Sequence, residues 1–441
     1  MLKALQGAVT AAHVDSWTSR REAQVGGMKP AGAPLIALFL ACARFNAVTL
    51  FADESASDAT SGSASGGQAV SELNTQGVRA AQQGQWELGV GYLRRAVKVN
   101  PRDVLLRQNL SGILTDWAIQ LERSGDAAQA ERLLLEAVTD DPDNGVAFVR
   151  LGDLAYFRRS DFSGAIASWK RANGKLSPAE WRAVADRISQ AQRDATIEQD
   201  FVSEGTEHFD IRLSHRGTAD LEALGRLLET AYAALVEQLG SGPSKLTVIV
   251  YTERDMRRTY YQRDWALGFY DGRLRLLGRE LGTDVAPMMV AHELAHAFLQ
   301  HAYGPALPIW VHEGFAQLQE RDPSTRPPAE AGGLAQDVAP AGLRQPRTDD
   351  ELRLEEAVAG GDAWVPLKWL DRRFAQPSYR EDVGRAYVQA RLVVAELIRR
   401  RGVARFKTFL DAVAKGTPVD AAYDAAFAPD HWAETDRPIL K

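Results

Sequence analysis

The chain has 441 residues, of which 45% are hydrophobic and 25% are charged, and its formal net charge is -6. This length and composition predict two or three globular domains with ample core. The negative balance lacks the basic footprint of a nucleic-acid-binding protein, so no nucleic-acid partner is expected. Cys42 is the single cysteine, which excludes a disulfide within the chain.

The first predicted element is a signal peptide. The apolar run LIALFLACA (35–43) follows Lys29 and is too short to span a bilayer, but it suits the core of a secretory signal. Met28 is the expected true start, and FLAC (39–42) weakly resembles a lipoprotein box. We therefore interpret residues 1–52 as an upstream segment with a signal peptide. The protein is expected to be exported, with membrane contact only through this signal or a lipid anchor; the alternative is a cytoplasmic protein with an apolar tail.

A linker and a repeat follow the signal. Residues 53–69 are rich in Ser, Ala and Gly without bulky apolar groups, which predicts a flexible linker. From 70 to 178, small residues recur where two antiparallel helices would touch, and the alanines marking three units are 41 and 35 residues apart: Ala96, Ala137 and Ala172. This pattern resembles the tetratricopeptide repeat. Residues 70–200 are therefore predicted to be helical repeats that bind a protein partner, ending in a capping helix at 181–197.

Residues 201–441 are predicted to form a mainly helical domain with a small sheet, so the fold class is α+β. Three stretches have the apolar alternation or composition of strands: 208–214, 245–251 and a hairpin at 268–278. The predicted helices are 220–240, 284–303, 364–374 and 383–401. A long loop rich in Pro, Gly and Ala is expected at 321–347.

The motif HELAH (292–296) is a candidate metal site. Four residues turn a helix by about 400°, so His292 and His296 project from nearly the same face. Both imidazoles can then reach one zinc ion. Glu293 points roughly 100° away, beside the ion, where it can take a proton from water.

Three residues compete for the position of third ligand. His301 lies five residues after His296, about 140° round the helix. His312 is adjacent to the better candidate, but consecutive residues on a helix diverge by about 100°. Glu313 follows His296 by 17 residues, which leaves room for a turn and an antiparallel helix. It completes a set of two histidines and one carboxylate with a fourth position open for water.

HELAH followed by WVHEGFAQLQE (310–320) resembles the gluzincin metallopeptidases, whose thermolysin-like and aminopeptidase N-like members share the form W-x-x-E-G-x-A. The combination is similar to the peptidase-MA-like group, which is often found beside tetratricopeptide repeats. This resemblance implies a zinc peptidase domain at 201–441. It also implies Glu293 as the general base and three zinc ligands: His292, His296 and Glu313.

The same resemblance implies roles for further residues. Glu320 would orient a zinc-bound histidine; the alternative is a solvated helix glutamate. Tyr387, in RAYVQARLVVAELIRRRG (385–402), would donate a hydrogen bond to the oxyanion. The alternatives are that Tyr387 only packs at the domain edge, or that Tyr379 is the relevant phenol. A strand within 268–278 would bind extended peptide, but the GxMEN-type signature of true aminopeptidases is absent there.

The predicted function is hydrolysis of a peptide or protein substrate by zinc-activated water with a glutamate general base. The alternative is a non-catalytic or weakly active interaction scaffold in the cell envelope that carries a zinc-bound peptidase-like domain. The complete set of motif residues argues against loss of catalysis. A purely structural zinc is disfavoured because structural sites usually have four protein ligands.

Overall fold

The fold comes from a computed structural model that describes residues 64–214, 220–260, 267–283, 285–320, 349–361, 364–375 and 380–428. The described residues form two compact units, which divide between Gln199 and Asp200. They are mainly helical with one small five-stranded mixed sheet, which confirms the predicted fold class. The predicted signal peptide and the predicted 321–347 loop lie outside them. Within the described ranges, no helix has both the length and the apolar character needed to cross a membrane.

Helix pairs with short connections build the described part of the first unit. The pairs are α1 (Ala64–Gln82) with α2 (Trp86–Val99), α3 (Val104–Ser124) with α4 (Ala127–Asp140), and α5 (Gly145–Arg159) with α6 (Phe162–Arg171). The helix α7 (Pro178–Ile197) follows them. Short connections make the partners of a pair antiparallel. Their facing sides bury Leu, Val and Ala side chains in one apolar core.

Two details of this unit differ from the sequence prediction. The helix α1 already begins at Ala64, so the end of the segment predicted as a linker, 53–69, is helical. Extending an existing helix costs far less than nucleating one, which lets small residues join it. Pro178, where the repeat pattern was predicted to end, lies in the first turn of α7, and Ser177 and Glu180 form a capping box there. A proline is tolerated there because that N–H has no helical acceptor.

The second unit contains the sheet. In chain order its strands are β1 (Phe201–Gly205), β2 (Phe209–Ser214), β3 (Leu246–Tyr251), β4 (Gly268–Tyr270) and β5 (Leu274–Leu277), and their order across the sheet is β1-β2-β3-β5-β4. The three central strands run parallel, and the two edge strands pair antiparallel to them. β4 and β5 form the hairpin expected from the sequence. β1 was not predicted, because FVSEG is mostly exposed and lacks regular apolar alternation.

The described residues of this unit also form eight helices: α8 (Leu221–Leu239), α9 (Glu253–Thr259), α10 (Ala286–Tyr303), α11 (Ile309–Gln319), α12 (Asp349–Ala359), α13 (Leu367–Ala375), α14 (Arg380–Ala414) and α15 (Val419–Phe427). Six of these helices, α8, α10, α11, α13, α14 and α15, share one apolar core with β2, β3 and β5. Each fully buried Val, Leu or Phe contributes roughly 1.5–3 kcal/mol to such a core. The helix α14 is interrupted at Gly402, whose φ of 78° and ψ of 164° are not helical.

Candidate metal centre

The helix α10 carries the HELAH motif through the middle of the core. Leu294, Ala295 and Phe298 are completely buried, and the residues before and after them are mostly buried as well. A helix that is apolar on nearly every side is typical of a core element rather than of a surface helix. Two half-buried histidines on one face are therefore an exception that calls for a physical reason.

Three potential ligand atoms converge beside α10. The Nε2 atoms of His292 and His296 are 3.2 Å apart. Oε2 of Glu313 lies 3.6 Å from Nε2 of His292 and 3.8 Å from Nε2 of His296. Donor atoms placed about 2.0–2.2 Å from a tetrahedral ion lie about 3.3–3.6 Å from one another. The His-His-Glu group can therefore hold a metal ion, and its donor atoms are those that zinc accepts.

The position of Glu313 depends on how α11 packs. Five residues separate the end of α10 at Tyr303 from the start of α11 at Ile309. Next to the carboxylate, Gly314 contacts α14 so closely that a Cβ atom would lie 2.4 Å from the carbonyl oxygen of Ala390. Any side chain at this position would push α11 away from α14. The glycine after Glu313 is thus required by helix packing, and that packing sets the depth of the carboxylate.

Glu320 contacts one of the two histidines directly. It follows the last residue of α11, is buried, and its Oε1 makes a short hydrogen bond with Nδ1 of His292. This burial excludes the alternative of a solvated helix glutamate. A carboxylate only accepts hydrogen bonds, so Nδ1 carries a proton, and Nε2 is the ring nitrogen that faces His296 and Glu313.

The local charges favour a cation where the ligand atoms converge. Burial lowers the pKa of His296 to about 3, so its ring is neutral and has a lone pair to offer. Burial also acts to lower the pKa of His292, but the carboxylates of Glu320 and Glu313 raise it well above its ordinary value. The carboxylates therefore hold a proton on His292 in the metal-free site, and a divalent metal would displace this proton on binding.

Glu293 lies on the side of α10 that faces the sheet edge. Its side chain is buried, and a Cβ atom at Gly268 would lie 3.2 Å from its Cγ. Gly268 belongs to β4, the edge strand next to β5. The predicted general base therefore lies next to the predicted peptide-binding strand.

The other candidates lie elsewhere. His301 is in the last turn of α10 and is not part of the converging group. His312 is buried with its ring 5.9 Å from that of His296, and burial lowers its pKa to about 4, but it is not one of the converging ligands either. Tyr387 lies on α14, half-buried, with its ring 5.1 Å from Phe374 in an edge-on arrangement. Tyr379 lies outside the described residues.

Two contacts that hold α11 were missed by sequence reasoning. The side-chain amides of Gln238 and Gln319 exchange hydrogen bonds of 3.1 and 3.2 Å across 81 residues of chain. Asp371 accepts a hydrogen bond of 3.0 Å from the backbone N–H of Trp310 across 61 residues. No local sequence pattern predicts such pairs, because each partner by itself looks like an ordinary polar residue on a helix.

Comparison with protein-family models gave no match, and comparison with curated proteins gave none either.

Proposed function

We propose that the protein is a zinc-dependent metallopeptidase whose second unit hydrolyses peptide bonds in a peptide or protein substrate. One observation carries this proposal: Nε2 of His292, Nε2 of His296 and Oε2 of Glu313 converge within 3.8 Å of one another. Two imidazoles and one carboxylate form a catalytic type of zinc site, because a fourth position stays open. The resemblance of HELAH and WVHEGFAQLQE to gluzincin metallopeptidases supports the same conclusion.

The chemistry divides between the metal and the side chains. When bound, zinc supplies Lewis acidity, which lowers the pKa of water and polarises a carbonyl group. Glu293 follows the first ligand histidine, so its carboxylate reaches the water without joining the ligand set. It accepts the proton as the water oxygen attacks the peptide carbon, and it delivers that proton to the leaving amine. Glu320 holds the His292 ring in the tautomer that offers Nε2.

Substrate would lie along the edge strand. The strand β4 forms an edge of the sheet within the described residues, and an extended peptide can add to such an edge through backbone hydrogen bonds. Gly268 of this strand lies next to Glu293, so a peptide paired with β4 would pass close to the general base. A small residue at this position leaves room for a backbone to approach the carboxylate.

Tyr387 is the proposed donor to the carbonyl oxygen as it becomes tetrahedral. It precedes Ala390 by one turn of α14, on the side of the helix that Gly314 contacts. We expect Tyr387→Phe to lower kcat by about 10²–10³, the usual effect of losing one oxyanion donor. Phenylalanine keeps the ring that packs on Phe374, so zinc content and melting temperature should stay unchanged. Steady-state kinetics would measure the effect, with Tyr379→Phe as the matched control; normal kcat in Tyr387→Phe would leave this tyrosine a packing residue.

The proposed activity is tested on the purified full-length chain. We expect one zinc ion per chain by elemental analysis and cleavage of peptides in a broad library. A chelator should abolish the cleavage, and added zinc should restore it. Cleavage that persists after complete metal removal contradicts the proposal. Stoichiometric zinc without any cleavage favours the alternative of a non-catalytic interaction scaffold.

The first unit and the export signal complete the proposal. We propose that the helix pairs bind a protein partner, because their pairing and their resemblance to tetratricopeptide repeats suit that role. We also propose that the protein is exported, which rests on the apolar run at 35–43. Partner capture and cell fractionation test these two points independently of the catalytic site.

A further inference from the structure

The helix α11, which carries Glu313, has no cap of its own. Its N-cap residue is Pro308, whose side chain makes no capping hydrogen bond. The first N–H groups of any helix have no acceptor within the helix and need one from elsewhere. In a buried helix, leaving them unsatisfied is costly. The acceptor for α11 must therefore come from another part of the fold.

Asp371 of α13 provides this acceptor. Its Oδ1 accepts the N–H of Trp310 at 3.0 Å, and Ile309 also donates its N–H to this carboxylate. Burial raises the pKa of Asp371 above its ordinary value, whereas these two hydrogen bonds act to lower it. The carboxylate is thus a half-buried group aimed at the positive end of the α11 dipole, where a negative charge is favourable.

This contact lies one turn from the candidate metal ligand. Trp310 precedes Glu313 by three residues, so the two share a face of α11. Further along, Gly314 is pressed against α14, and Gln319 is paired with Gln238 of α8. Of these contacts, Asp371 is the one that restrains the first turn, where the helix enters from the connection after α10.

We infer that Asp371 is a positioning residue for the metal centre. By capping α11 from α13, it holds Glu313 where its Oε2 meets the Nε2 atoms of His292 and His296. Loss of the cap lets the first turn fray, and the carboxylate leaves its place without any ligand having been removed. This inference rests on the proposed zinc site and adds a residue that the sequence pattern of that site does not contain.

The test is the zinc affinity of the full-length chain, measured by competition with a coloured chelator. Asp371→Ala should weaken zinc binding by about 10–100-fold, the usual cost of losing a supporting partner of a ligand. Asp371→Asn should bind zinc nearly as well as the wild type, because asparagine caps a helix about as well as aspartate. If Asp371→Asn keeps its zinc affinity while Asp371→Ala loses it, the effect comes from the capping hydrogen bonds and not from the negative charge.

A matched control exists in the same unit. Asp220 caps α8 by accepting the N–H of Ala223 at 3.0 Å, and α8 carries none of the proposed ligands. Asp220→Ala should lower the melting temperature while leaving zinc affinity unchanged. A cap that only stabilises the fold would make the two alanine variants behave alike.

The visible absorption spectrum of the cobalt-substituted protein gives a second measurement, which does not depend on the overall stability of the fold. Visible absorption bands of Co²⁺ report the number and geometry of its ligands. Asp371→Ala should change these bands because the carboxylate of Glu313 is displaced, whereas Asp371→Asn and Asp220→Ala should keep them. Unchanged bands and unchanged zinc affinity in Asp371→Ala would overturn the inference.

The outcomes separate this inference from the proposed function. If the wild-type chain binds zinc and Asp371→Ala binds it equally well, only the positioning role fails. If the wild-type chain binds no zinc, both fail. Should Asp371→Ala not fold, Asp371→Ser provides the same test, because its shorter polar side chain stops short of the α11 backbone; full zinc affinity in that variant would also overturn the inference.

Discussion

Replacing Glu313 with alanine is expected to strip the protein of zinc. Glu313 is the only carboxylate in the converging ligand group, and without it two imidazoles would be the only protein ligands left for the ion. Removing a residue that only hydrogen bonds to a ligand lowers metal affinity by about 10–100-fold. Removing the ligand Glu313 should lower zinc affinity by more than this. Elemental analysis after dialysis and chelator competition would measure this loss, and peptide cleavage should disappear with the metal.

His301→Ala is the control for this experiment, because His301 is the competing candidate on the same helix as both histidines. It should keep its zinc and its activity. Full zinc retention in Glu313→Ala would refute the assignment of the third ligand. Loss of zinc in His301→Ala instead would move that assignment to the end of α10.

Replacing Glu293 with glutamine should separate metal binding from catalysis. Glutamine has nearly the same shape, so the contact with Gly268 and the packing of α10 should persist. It cannot accept a proton at neutral pH, and general acid–base catalysis typically contributes about 10²–10⁴-fold to rate. We expect kcat to fall by this factor while zinc stoichiometry and melting temperature stay at wild-type values.

Glu229→Gln is the matched control for the Glu293 experiment. Glu229 is another glutamate of the second unit, and it hydrogen bonds to Thr206 and His208 rather than to the candidate ligands. Its replacement should lower stability without lowering kcat. Normal turnover in Glu293→Gln would exclude this residue as the base, and zinc loss in Glu293→Gln would mean that it supports the metal instead.

Much of the fold could be predicted because it rests on local signals. The amphipathic pattern of α8 is bounded by Asp220, which caps its start, and by Gly240 at its end. The run LTVIVY reads as a buried strand, and β3 is indeed buried at every position. In contrast, β1 and the short helix α9 carry no clear periodicity, and both were missed. Both elements depend on packing or pairing with neighbouring elements, and the spacing of apolar residues along the chain does not predict such contacts.

The candidate site divides in the same way. The geometry of an α-helix is enough to place His292 and His296 on one face, because residues four apart lie about one turn from each other. Spacing along the chain favoured Glu313 and the resemblance added Glu320, and the structure places both carboxylates beside the histidines. The role of Tyr387 stays a prediction, since its described ring contact is with Phe374.

The sequence by itself was enough to predict which residues form the candidate metal site. It supplied two imidazoles, one base and one carboxylate at spacings that a helix and a helical turn can use. Only the tertiary structure shows that the carboxylate of Glu313 reaches the histidines, and which contacts keep it there. Gly314 lets α11 lie against Ala390, and Asp371 caps that helix from 61 residues away. Such contacts depend on the relative placement of whole helices, and that placement is set by core packing rather than by any local pattern.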